Sequence, residues 1–212
     1  MKKSIFVFTA SVFTLASIAS SQAQVKPDST SKAAPTQTEN SIQDTTKAAP
    51  KAKVVGGAAM LPTNDIVENA SKSKDHTTLV EAIKTAGLTD ILKANGPFTV
   101  FAPTNDAFAK LPAGTLDTLK QSANKEKLGD VVEYHVVAGK LTSKDLALAV
   151  ARANGNATLK TVEGEDLTVS INAEKNLQIT DTKGNIALVT MFDVEQSNGI
   201  MHVINNVLLP KE

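Results

Sequence analysis

Hydrophobic spacing divides the sequence into a helical first part and a strand-forming second part. Between residues 63 and 150 apolar side chains return every three or four positions, the interval at which they share one face of a helix. Leu79, Ala82, Ile83 and Ala86 keep that interval until Gly87 closes the segment, and Leu128, Val131, Val132 and His135 keep it again, which points His135 toward the core. Hydroxyl residues mark the starts. Thr63 is placed after Pro62 to cap a helix carrying Ile66, Val67 and Ala70, Thr78 and Glu81 stand at capping-box spacing, and Thr142 precedes residues 143–150 with Leu146, Ala147 and Val150 facing inward. Residues 89–93, 115–121 and 124–134 supply further helical turns. From Ala157 the period changes to two: Leu167, Val169 and Ile171 alternate with polar neighbours, as do Leu177 and Ile179. Residues 181–185 and 196–199 read as hairpin turns, and the apolar runs 186–194 and 200–209 as central strands. Helices followed by strands predict an α+β domain with antiparallel pairing.

The two periods meet at Gly96-Pro97-Phe98-Thr99-Val100-Phe101-Ala102-Pro103-Thr104-Asn105-Asp106-Ala107-Phe108. Phe98 to Phe101 form a short buried strand that Pro103 stops. Thr104 then caps a helix, with Asn105 and Asp106 in its first turn and Ala107, Phe108 and Leu111 on its apolar side until Pro112. A strand that turns within two residues into a capped helix fixes two elements at once, so this segment should join sheet to helices.

The same stretch resembles the first motif of the fasciclin-like domain, a module of secreted and surface adhesion proteins. Tyr134-His135, within Val131-Val132-Glu133-Tyr134-His135-Val136-Val137, and the run from Gly199 through His202 and Asn206 to Pro210 follow in the order of that family. The likeness spans residues 61–210 and contains one copy of the motifs. It implies a wedge of antiparallel strands with helices packed on one side, and an adhesive role. It also implies a possible partner-binding role for Tyr134 and His135, since in animal relatives the corresponding aromatic-histidine motif is associated with integrins. The residues themselves favour packing, so Phe101, Thr104, Asn105, Asp106, Phe108, Tyr134, His135, His202 and Asn206 are expected to be structural.

The N-terminus adds a destination. Met1-Lys2-Lys3, the apolar run 5–19 and Ser21-Gln22-Ala23 predict a signal peptide over residues 1–23, too short for a comfortable membrane span. Residues 24–57, rich in Ala, Pro, Thr and Lys, read as a disordered tether, leaving 58–212 as the domain. There is no cysteine, hence no disulfide. Removing Lys2 and Lys3 from the 22 basic residues leaves 20 against 22 acidic ones, a difference of −2 without a run of either sign, which disfavours nucleic acid.

Candidate chemistry changes little. Of the three histidines, His76 reads as a solvated loop residue, whereas His135 and His202 sit among apolar neighbours and need partners, for which the Thr, Asn and Asp of the junction are available. No G-x-S-x-G elbow, H-E-x-x-H pair, calcium loop or glycine-rich phosphate loop is present, so no catalytic residue, metal or cofactor is expected. The sequence reads as a secreted, non-enzymatic binding or adhesion module, monomeric, in the periplasm or outside the cell, whose partner is a surface protein or polysaccharide. A second reading is a periplasmic domain that holds a small apolar or lipid-like ligand between helices and sheet.

Overall fold

The structure, a computed structural model, describes residues 52–94 and 96–211; the expected signal peptide and the tether up to residue 51 lie outside them. The ordered domain starts earlier than position 58. Strand β1 (Lys53–Val55) pairs antiparallel with β2 (Ala58–Met60), because Val55 and Met60 both reach the core. Residues 53–60 therefore form a hairpin whose first strand and turn lie where composition alone suggested tether.

Seven α-helices follow among the described residues: α1 (Ile66–Lys72), α2 (Thr77–Ala86), α3 (Thr89–Lys93), α4 (Asn105–Ala109), α5 (Thr115–Leu119), α6 (Lys125–Tyr134) and α7 (Ser143–Arg152). Their inner faces follow the spacing, with Leu79, Ala82 and Ile83 buried on α2 and Leu128, Val131 and Val132 on α6. Two caps differ from expectation. Asp65, not Thr63, caps α1, its carboxylate accepting from Glu68 N–H at 2.7 Å. Helix α2 has no capping box, since Glu81 pairs with Lys120 at 2.6 Å instead. On α7 the box is complete, and the hydrogen bonds from Thr142 hold the Asp145 carboxyl below its ordinary pKa. Leu146 and Val150 form its buried side, while Ala147 is half-buried.

Seven strands form the main sheet in the order β4-β3-β9-β8-β7-β6-β5. They are β3 (Phe98–Pro103), β4 (Val136–Ala138), β5 (Asn156–Lys160), β6 (Asp166–Ile171), β7 (Leu177–Thr180), β8 (Ile186–Gln196) and β9 (Gly199–Ile204). Pairing is antiparallel except between β3 and β9, which run parallel with Phe101 opposite His202. The intervening chain includes helices and supplies the long crossover that a parallel pair needs. At the far ends the sheet returns on itself: Val162 N–H donates to Val136 O at 2.8 Å and Val137 bridges Thr161. This near-barrel closure protects edges that would otherwise invite pairing with another chain.

The sheet separates two cores. Val100, Ala102, Met201 and Val203 face one built with the helices, while Phe101 and Ile204 face another inside the near-barrel with Leu146, Leu167, Val169 and Ile179. Strands β3 and β9 are thus buried on both faces, which explains their continuous apolar runs. Two strand expectations shift at the ends. Ile171, the last residue of β6, is 44 % exposed, and β9 stops at Ile204 instead of continuing to residue 209.

Candidate functional site

The junction of β3 and α4 does what its residues suggest. Phe101 is buried, donates its N–H to His135 O at 2.9 Å and stacks on the His202 ring at a centroid distance of 5.8 Å. Thr104 Oγ1 accepts from Ala107 N–H at 3.2 Å, while Phe108 is buried with the helices. Asn105 works between helices: its Oδ1 accepts from Thr78 N–H at 3.0 Å and from Thr77 Oγ1 at 3.2 Å, and its Nδ2 donates to Lys74 O at 2.8 Å. The cap missing from α2 is therefore delivered by α4. Asp106 lies exposed in the first turn of α4. Asn105→Ala is expected to cost about 1–2 kcal/mol, as for a lost cap with an added lost carbonyl contact, and Asp106→Ala distinctly less. Urea denaturation of both variants checks the order.

Tyr134 and His135 close helix α6 and are both buried. The Tyr134 hydroxyl donates to Asp166 O at 3.0 Å and accepts from Thr182 N–H at 3.1 Å, and burial raises its pKa. His135 Nδ1 donates to Val131 O at 2.7 Å and Nε2 accepts from Leu208 N–H at 3.0 Å. These partners are backbone groups, not the Thr, Asn and Asp of the junction. They fit a neutral imidazole, and burial lowers the His135 pKa to about 4. Among the described residues, His135 is one of three side chains that accept from the backbone of residues 208–211. Asp181 accepts from Leu209 N–H at 3.0 Å and Glu165 from Lys211 N–H at 2.9 Å. Side chains here replace a neighbouring strand, the reason β9 does not continue.

His202 is likewise neutral by its contacts. Nε2 donates to Leu141 O at 2.9 Å, Nδ1 accepts from Asp193 N–H at 3.3 Å, and burial lowers its pKa. Asn206 Nδ2 donates to Ile186 O at 2.6 Å, tying the end of β9 to the start of β8. His76 corrects its expectation, being fully buried in the short turn Lys74–His76. Its Nδ1 lies 3.0 Å from Ser73 Oγ and its Nε2 has no hydrogen-bond partner among the described residues. Burial lowers its pKa against the opposing pull of the Asp75 carboxylate and the Ala102 backbone.

Three polar anchors were not singled out from sequence. Asn198, buried, accepts from Ile66 N–H at 3.1 Å and donates to Leu92 O at 2.7 Å and Ala94 O at 3.2 Å, joining α1 and α3 to the start of β9. Asn69 is buried on α1, donating to Leu61 O at 2.8 Å and to the Gln196 side chain. Asp181, in the turn read from residues 181–185, is buried and accepts from Lys183 N–H at 3.0 Å and Asn185 N–H at 2.8 Å besides Leu209. The Asn-Gly pair at 198–199 was the available signal for the first. For Asp181 the turn over residues 181–185 was the local signal, and nothing local marks Asn69.

Chemically, this constellation holds the fold. Both nitrogens of His135 and His202 are committed to backbone groups, so neither is free to take a proton from a nucleophile. Among the described residues no group of three or more His, Cys, Asp or Glu is placed to hold a metal ion, and no helix is long and apolar enough to cross a membrane. Among the described residues, clefts open on the surface, and two of them border the elements discussed above. One, of about 510 Å³, is polar and bordered by Asp65, Glu68, Lys140, Gln196 and Ser197. The other, of about 410 Å³, lies between α5, α6 and the C-terminal segment.

Comparison with known proteins places these features in context. The Fasciclin domain family matches residues 74–210. Protein sll1483 of Synechocystis sp. is 43 % identical over 160 residues, covering 76 % of this chain and 81 % of the relative. Cell surface glycolipoprotein MPB83 of Mycobacterium bovis is 34 % identical over 160 residues, covering 73 % and 64 % respectively. In structure, a FAS1 domain pair from the insect cell adhesion molecule fasciclin I shares the fold with a TM-score of 0.62 at 22 % identity, covering 70 % of this chain and 52 % of that one.

Proposed function

The chain belongs to the fasciclin domain family, and from that premise we propose that it is a secreted, non-enzymatic adhesion module acting at a cell surface or on extracellular polymers. The observation that carries this reading is where the family-marking side chains spend their hydrogen bonds. Thr104, Asn105, Tyr134, His135 and His202 all bond to the protein's own backbone, which leaves partner recognition to the outer surface. Tyr134 and His135 are 0 % and 2 % exposed, so an integrin-type epitope at this pair would require unfolding the end of α6. The adhesive role of fasciclin I and the surface location of MPB83 support the same reading. The polar cleft beside Glu68 and Lys140 offers both donors and acceptors to a hydroxyl-rich polymer or a polar protein surface.

A binding assay tests this. The chain lacking its first 23 residues, immobilised and exposed to envelope polysaccharides and surface proteins of its host, is expected to retain one class saturably and release it unmodified. Tyr134→Phe should leave that binding unchanged, whereas Glu68→Lys with Lys140→Glu should weaken it at least tenfold. Cleavage of the captured polymer would overturn the reading, and so would loss of binding by Tyr134→Phe at unchanged stability.

A further inference from the structure

The cleft of about 410 Å³ falls within the size range of small-molecule sites, roughly 300–1,000 Å³. Its walls are apolar: Leu119 from α5, Val131 from α6, and Leu209 and Pro210 from the C-terminal segment. Its rim carries Lys127 and Lys211, with Asp130 the one carboxylate among the described lining residues. Among the described residues, neither the Lys127 nor the Lys211 ammonium group has an ion-pair partner. One wall is also weakly held. Helix α5 buries none of its residues, and Gly114 precedes it without a side-chain cap, which places it among the elements that open at small cost. Behind Leu119 and Val131 lies a second, small apolar space of about 10 Å³ lined by Leu79, Leu111, Leu116 and Leu128. The apolar floor of the cleft therefore continues into the helical core.

We propose that this cleft binds a free fatty acid, its chain between α5 and α6 along Leu119 and Val131 and its carboxylate at Lys127 and Lys211. An aliphatic chain gains from leaving water, and an anionic head meets a rim with a cationic excess. The ligand lies at the helical surface, away from the interface of helices and sheet. The inference is independent of the adhesive reading, which concerns a polymer and other residues.

Calorimetric titration with octanoate, decanoate and dodecanoate below their micelle concentrations tests it. One site per chain is expected, with Kd tightening about fourfold per added methylene. Lys127→Glu with Lys211→Glu should weaken dodecanoate at least tenfold while leaving dodecanol unchanged. Leu119→Trp, which fills the cleft, should abolish binding of both, with the urea midpoint of each variant confirming that it is folded. Absence of saturable dodecanoate binding, affinity independent of chain length, or full affinity in the Leu119→Trp protein would overturn the proposal. Binding to phosphatidylglycerol vesicles without binding to dodecanoate would overturn it too, in favour of a membrane surface. Polymer capture is measured separately, so failure here leaves the proposed function standing.

Discussion

Replacing His135 with leucine is expected to lower the unfolding free energy by about 2–4 kcal/mol at pH 7.5 and to remove the share of the stability loss between pH 6.5 and 4 that this imidazole carries. The first effect follows from what the imidazole satisfies. Leu208 N–H, held by Nε2 at 3.0 Å, loses its acceptor in a buried position, and an orphaned buried donor costs about 1–3 kcal/mol. Val131 O loses its contact as well, and the segment that Nε2 fastens loses one of three ties. The second effect is linkage. Burial holds the folded pKa at about 4 against an ordinary value of 6.5, so between those values the unfolded chain binds the proton and the folded one does not. Stability is complete above pH 6.5 and falls as pH drops toward 4, by about 3 kcal/mol at 1.36 kcal/mol per pH unit. His76 and His202, both shifted downward by burial, act with the same sign and leave a residual slope in the variant. Urea denaturation at pH 7.5, 5.5 and 4.5 with both proteins gives the two curves. Parallel curves would show that His135 titrates normally and that its burial is not maintained in solution.

What the sequence disclosed, and what it withheld, divides by range. Spacing alone turned Val131, Val132 and His135 inward, because a helical interval reports which face is buried. The sequence offered the Thr, Asn and Asp of the junction as partners for His135 and was wrong, since the Leu208 backbone that bonds the ring lies 73 residues away and no local pattern encodes it. Thr104 and Thr142 were legible because a cap bonds within three residues. The cap of α2 was not, coming from Asn105 some 27 residues later. Alternation disclosed the strands but not their order, so the parallel pairing of β3 with β9 emerges only when both are seen to be buried on two faces. His76 misled for a related reason: its polar neighbours Lys74 and Asp75 are exposed while the ring itself turns beneath them.

Gly199→Ala is expected to destabilise the domain by about 3 kcal/mol, the upper end of ordinary overpacking, although neither strand propensity nor backbone angle forbids alanine there. The obstacle is contact across the parallel pair. Gly199 sits opposite Phe98, and a Cβ on it would stand 2.1 Å from Phe98 O and 2.9 Å from Phe98 C and N. Backbone cannot swing aside as a side chain does, so β9 must part from β3 where the ladder begins. The same corner is held by Phe98 N–H donating to Asn198 O at 3.0 Å, and by the Asn198 side chain on Ile66, Leu92 and Ala94. Separation of the strands therefore reaches α1 and α3. Gly129→Ala is the contrasting case: within α6, a Cβ there meets nothing within 4 Å, and alanine should stabilise by about 0.5–1 kcal/mol through helix propensity. Urea midpoints moving in opposite directions would separate close backbone approach from propensity. Equal shifts would mean that β3 and β9 yield at this corner, and that the junction of sheet and helices is looser than its hydrogen bonds indicate.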